Sequence, residues 1–417
     1  VTTIPEPSYP GEATLNVNVF TPVPGQADAG LPVLVWIHGG GFFAGSPSSP
    51  WYDGRAFNRD GAVTVSLSYR LGFDGFGWIA DAPTNRGLRD LIAGLEWVRD
   101  NIRAFGGDPD RVTIGGQSAG GSAVLALLAS PRAGGLFSQA VAHSPADLSL
   151  GIEEAERIGR ELAARAGVAP TRSGWTSLGE DAVLDLQAAR MAPAPGSPPS
   201  AAEFVRGTLA GGGIGLPFVP LVGDDVLPLP IPEALAHGAG PPLLIGSVAH
   251  EFSVLSADLA RAWAGMDARR ALAAGGLPAG VADAYVTAHP ELGSAARCIG
   301  QLVTDLSFRI PLLRCADARP DRTWVYDFRW ISPVLGASVH CLDLPFAWDL
   351  LDAPGVPAVA GPHPPQGLAD DMHAAWVRFI ATGDPGWPAW DGRTAHCFGT
   401  DAADSYAPSR LLAAVLG

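Results

Sequence analysis

Hydrophobic positions fall into short continuous runs separated by stretches of helical periodicity. Residues 15–19 (LNVNV) alternate apolar and polar, the two-residue period of a half-buried strand. Residues 32–38 (PVLVWIH) are apolar almost throughout, as expected of a strand covered on both faces, and residues 62–69 repeat that character. Within residues 87–105, Leu88, Leu91, Ile92, Leu95, Val98 and Ile102 recur at steps of three and four, which predicts an amphipathic helix stopped by Gly106-Gly107. A strand at 111–115, a helix at 118–129 and a strand at 139–142 follow. This alternation predicts βαβ units, hence an α/β fold with a mostly parallel central sheet flanked by helices.

Further along, a helix is expected at 151–167, and residues 172–216, rich in Gly, Pro and Ser, are expected to form a loop or surface excursion. A strand at 242–246, helices at 258–287 and 302–318, a strand at 323–330 and a helix at 368–382 complete the pattern. No fixed-period repeat and no linker divides the chain, so residues 1–417 are expected to form one domain with C-terminal helical elaborations.

Charge narrows the function. Twenty-seven basic residues, all of them Arg, against 42 acidic ones give a net charge of −15, which disfavours nucleic acid and anionic membrane surfaces as partners. No run approaches the roughly 18 apolar residues of a spanning helix. Cys298, Cys315, Cys341 and Cys397 show neither metal-ligand spacing nor the density of a disulfide scaffold.

Two glycine-rich segments carry chemistry. Gly116-Gln117-Ser118-Ala119-Gly120 fits G-x-S-x-G between an expected strand and an expected helix, where a sharp turn exposes the serine hydroxyl at a helix N-terminus. His38-Gly39-Gly40-Gly41-Phe42 ends the earlier buried strand, and glycines there leave backbone N–H groups free to approach a substrate oxygen. The N–H groups of Gly40, Gly41 and Ala119 together would make an oxyanion hole.

Around these motifs the chain resembles a type-B carboxylesterase, from the branch of the α/β-hydrolase fold that includes the cholinesterases. The matching pieces include LNVNVFTP at Leu15, VWIHGGGF at Val35, LEWVRDNIRAFGGDPDRVTIGGQSAGG at Leu95, PFVPLVGDDVLP at Pro217, LLIGSVAHEFS at Leu243 and VHCLDLPFAW at Val339. They occur in family order over nearly the whole chain. The resemblance implies a serine carboxylesterase acting on small to medium uncharged esters, with Ser118 as nucleophile, His340 as base and Glu251 as acid. Glu251 stands in AHEFS, which departs from the family's D-E-G, and Ser144, in an HSP that replaces Q-S-G, is a candidate support for the acid. No cofactor or metal is implied; the expected partner is a small-molecule ester, and oligomeric state and compartment stay open.

For the substrate pocket, neutral Gln117 stands where cholinesterases carry Glu, which argues against choline esters. Ile214, Leu216 and Phe218 are candidate acyl-pocket walls, with Phe42, Trp330 and Phe346 on the other side. Only 14 residues precede Leu15, fewer than the family norm, so a shallower and more open site is expected. Two alternatives remain beside the esterase: a non-catalytic cholinesterase-like binding module, and the same triad acting on amide, thioester or polyester bonds.

Overall fold

A computed structural model describes residues 4–416 except 10, 12, 13, 147, 193–197, 239 and 401–403. Its centre is an eight-stranded sheet of β1 (Val17–Phe20), β2 (Leu31–Ile37), β3 (Val63–Leu67), β4 (Gly107–Gln117), β5 (Gln139–His143), β6 (Leu243–Val248), β7 (Thr323–Phe328) and β8 (His396–Phe398). The spatial order is β1-β3-β2-β4-β5-β6-β7-β8. Only the β1–β3 pair is antiparallel; the others run parallel, so the loops leaving the C-termini of β2 to β8 open on the same edge.

The continuous apolar run of β2 has a simple cause. Val33, Val35 and Ile37 pack into the core on one face of the sheet, with Leu88, Leu91 and Leu95 of α1 (Arg86–Asn101) and Val124 of α2 (Ala119–Ala129). Leu34 and Trp36 pack on the opposite face with Trp348, and with Trp376 and Phe379 of α3 (Gln366–Thr382). No residue of β2 after Pro32 meets water, so polar alternation has no place there.

Several expectations need correction. The first strand lies two residues later than the alternation suggested, at Val17–Phe20, because it is an edge strand with one partner and Leu15 is exposed. The excursion at 172–216 is largely helical: Arg172–Trp175, Glu180–Met191 and Ala201–Gly211 are helices. The last begins at a capping box, Ser200 to Glu203, and buries Ala201 and Val205 against the helix Ala268–Gly275. Residues 258–287 form three helices, Ala257–Ala262, Ala268–Gly275 and Ala279–Thr287, interrupted where Gly265 and Gly276 take positive φ. The helix expected at 302–318 begins earlier, with Ala295–Thr304, then widens into a π-type turn at Asp305–Arg309 before Ile310–Asp317.

Cys298, Cys315 and Cys341 are buried and Cys397 is half-buried. Among the described residues no helix is long and apolar enough to cross a membrane, and no group of His, Cys, Asp or Glu is arranged to hold a metal ion.

Candidate active site

Ser118 sits between β4 and α2 with φ 58° and ψ −123°, a backbone conformation that costs about 1–3 kcal/mol for a residue with a side chain. Two contacts hold it there. Its N–H donates to the His143 carbonyl at the end of β5 (2.9 Å), and α2 presses onto β2 so closely that a Cβ on Gly120 would lie 2.1 Å from the Ile37 carbonyl oxygen. Glycine at 120 is thus a demand of helix–sheet contact, and the turn that exposes Ser118 follows from it.

The loop after β2 folds back on itself. Gly40 takes φ 110° and its carbonyl accepts from the N–H groups of Phe43 (3.1 Å) and Ala44 (3.0 Å), while a Cβ at that position would meet the Ala44 carbonyl at 2.1 Å. Gly40 and Gly41 line the same cavity as Ser118.

Glu251 follows β6 and is buried. One carboxylate oxygen accepts from the Val248 N–H (3.0 Å); the other receives His340 Nδ1. His340, from the loop after β7, is held also by its backbone, which donates to the Glu251 carbonyl (3.2 Å). Its ring packs beside Phe252 (5.2 Å between centroids) and Phe308 (5.1 Å), which stack on each other (5.4 Å), Phe308 being presented by the π-type turn. Burial alone would pull the imidazole pKa down, but Cys341 and the Glu251 carboxylate beside it outweigh burial and hold it well above its ordinary value. At the outer nitrogen, Gln117 Nε2 lies 3.1 Å from His340 Nε2; an amide nitrogen can only donate, so in the neutral ring Nε2 is the acceptor and Nδ1 carries the proton.

Ser118, Glu251 and His340 border one cavity of about 520 Å³. Of the side chains expected to bind substrate, Gln117, Ile214 and Leu216 line it. Phe42, Phe218 and Trp330 do not. Phe42 has φ 65° and is turned into the core against Phe76, so the next residue, Phe43, takes its place on the wall. Phe218 is buried against Phe73, and Trp330 packs on Phe346, itself fully buried beneath the sheet edge. Ser144 does not support the acid: its N–H donates to the Gly246 carbonyl, and its buried hydroxyl has no partner among the described residues. Phe252, Val254 and Phe308, which sequence patterns did not single out, complete the apolar wall, and Phe43, Phe252 and Val254 form an exposed rim. Among the described residues, the charged groups on the lining are Glu6, Glu251 and His340, with no Arg.

Other histidines are occupied elsewhere. His38 turns away from Ser118, stacks on Tyr69 (4.7 Å) and bonds the Gly39 carbonyl, and burial pushes its pKa down to about 4. His250 Nδ1 accepts from the Ser338 N–H, and His373 bridges the Ala347 carbonyl and Asp60.

Comparison with known proteins shows the family. Residues 6–397 match the model of the carboxylesterase family. The para-nitrobenzyl esterase of Bacillus subtilis (strain 168) is 34% identical over 405 residues, spanning 92% of this chain and 78% of that protein. Phenmedipham hydrolase of Pseudarthrobacter oxydans is 33% identical over 393 residues, 90% and 74% of the two chains. Among solved structures, a Geobacillus stearothermophilus carboxylesterase at pH 6.2 superposes with a TM-score of 0.81 at 31% identity, covering 99% of this chain and 88% of that one. A PNB esterase structure gives 0.71 at 33% identity, over 92% and 81%. From the sheet order to the serine turn, and by similarity over nearly its whole length, the chain belongs to the carboxylesterase family, enzymes of the α/β-hydrolase fold that hydrolyse carboxylic esters.

Proposed function

We propose that the chain hydrolyses small to medium, uncharged carboxylic esters through Ser118, His340 and Glu251. The observation that carries this reading is the meeting, in one cavity, of a strained serine at a helix N-terminus and an imidazole held by a buried carboxylate. In the first step the Gln117 amide yields His340 Nε2 to the Ser118 hydroxyl. His340 takes the proton as Oγ attacks the carbonyl carbon, and Glu251 keeps the ring oriented and offsets its new charge. The resulting oxyanion is met by the N–H groups of Gly40, Gly41 and Ala119. The C–O bond to the alcohol breaks, the alcohol leaves with the proton from His340, and water attacks the acyl-serine by the same route to release the acid.

The preference for uncharged substrates rests on the wall. Apolar side chains dominate it, and a substrate carboxylate would meet Glu6 with no Arg among the described lining residues to pair with. A series of p-nitrophenyl esters of increasing acyl length, with a p-nitrophenyl hemisuccinate, tests the reading in wild type and Ser118→Ala. Turnover of neutral esters lost in the variant is expected; wild-type turnover in the variant would show that Ser118 is not the nucleophile. No turnover of any ester by the wild type would favour a binding role, and faster cleavage of matched anilides or thioesters would move the substrate class.

A further inference from the structure

His143 lies at the end of β5, fully buried beside the nucleophile turn, and the mechanism above does not use its side chain. Its ring is bonded at both nitrogens. Trp376 Nε1–H donates to Nε2 (2.8 Å), and an indole can only donate, so Nε2 is bare and the ring proton sits on Nδ1. Nδ1 lies 3.1 Å from Asp343 Oδ2 and 3.0 Å from the Tyr326 hydroxyl, which itself donates to Asp343 Oδ2 (2.9 Å). The Tyr326 phenol is kept protonated, its pKa driven well above 10 by burial and by the Asp343 carboxylate.

Asp343 is three residues after His340 and precedes the short helix Leu344–Ala347. An aspartate in that position ordinarily caps the helix with its side chain, yet this one makes no side-chain capping bond and turns its carboxylate inward to His143. Meanwhile the His143 carbonyl receives the Ser118 N–H (2.9 Å). One residue thus grips the nucleophile turn by its backbone and the loop of the base by its side chain.

We infer that His143 and Asp343 are a positioning pair that sets the approach of His340 to Ser118, a role that rests on the triad proposed above. Neither residue touches substrate. A neutral, Nδ1-protonated imidazole is the form the pair uses, and Trp376 selects it. Displacement of the base by about 1 Å typically costs turnover heavily while leaving ground-state binding intact, so the effect belongs in kcat.

The test compares wild type, His143→Leu and His143→Asn for p-nitrophenyl acetate hydrolysis, thermal midpoint and covalent labelling of Ser118 by a fluorophosphonate. Asn places an amide N–H where Nδ1–H stood. For His143→Leu, kcat is expected to fall by about tenfold or more with KM within about twofold, and His143→Asn is expected to regain most of it. Unchanged kcat in His143→Leu, or equal loss in both variants, would overturn the pair. If His143→Leu does not fold, Tyr326→Phe removes one of the two donors to Asp343; a several-fold lower kcat supports the inference and a wild-type kcat refutes it. Wild-type protein that is not labelled at Ser118 would instead sink the triad itself, whatever the His143 variants do. In 15N-histidine-labelled wild type, a proton on Nε2 of His143 would also refute the assignment.

Discussion

Glu251→Gln is the sharpest probe of the acid, because the structure shows what each oxygen of the carboxylate does. One accepts the Val248 N–H at 3.0 Å and the other receives His340 Nδ1. Glutamine has the same shape but only one acceptor. With its oxygen toward Val248, its amide donates to Nδ1 and drives the imidazole proton to Nε2, the tautomer that cannot take a proton from serine. With its oxygen toward His340, a buried NH2 faces a buried N–H, which costs about 1–3 kcal/mol. The unproductive orientation therefore prevails. Replacing a charged acceptor also removes about 1.5–3 kcal/mol of support for the imidazolium formed in the transition state. Together these give about 2.5–6 kcal/mol, or roughly two to four orders of magnitude in kcat at about 1.36 kcal/mol per decade. The assay is steady-state hydrolysis of p-nitrophenyl acetate from about pH 5 to 9, with a thermal melt to confirm folding. Only neutral His340 is a base, so its raised pKa displaces the acidic limb of kcat/KM to higher pH, and loss of the carboxylate moves that limb back down. Turnover within about tenfold of wild type and an unmoved limb would refute the role of Glu251.

Three further outcomes follow from the same geometry. Gly40→Ala puts a Cβ 2.1 Å from the Ala44 carbonyl and forces the loop to open; a fall in kcat of about 10²–10³ is expected with folding retained, and a near-normal kcat would exclude Gly40 as an oxyanion donor. His38, buried with its pKa lowered to about 4, opposes folding once it must be protonated: its contribution is harmless above about pH 6.5 and costs about 2–3 kcal/mol by pH 4.5. Urea unfolding at pH 7 and 4.5 should show that difference shrinking by this amount in His38→Asn, and an equal pH dependence in both proteins would contradict it. Arg309, buried with its guanidinium 2.9 and 3.1 Å from the two Asp327 oxygens and stacked on Tyr406, should cost about 3–5 kcal/mol when replaced by Met; a loss below about 1 kcal/mol would show the pair to be dispensable.

How far the sequence could be followed depended on whether a requirement was local. β2 was readable because burial on both faces forbids polar residues along its length, and α1 because its apolar stripe faces the sheet. β1 was misplaced because an edge strand with one partner leaves Leu15 free to face water. The helix Ala201–Gly211 hid among Gly, Pro and Ser although its capping box, Ser200 and Glu203, stood in plain view. In the site, Gly40 and Gly120 could be found because close backbone approach demands glycine at those positions. Which phenylalanine faces substrate could not: the positive φ of Phe42 exchanges the directions of Phe42 and Phe43, and no composition rule carries that. Phe308, which packs on His340, lies in a five-residue π-type turn that also carries Arg309 to Asp327, a departure no local pattern announces.

The parallel sheet has one more consequence, for how such a protein can diversify. Ser118, Glu251 and His340 leave β4, β6 and β7, and the glycine loop leaves β2, so the ladder of backbone hydrogen bonds acts as a ruler among the groups proposed to react. Residues 148–216, by contrast, supply Leu148, Ile214 and Leu216 to the cavity and contain none of those groups. Substitutions at those three positions would therefore resize the chamber while the ruler keeps its divisions.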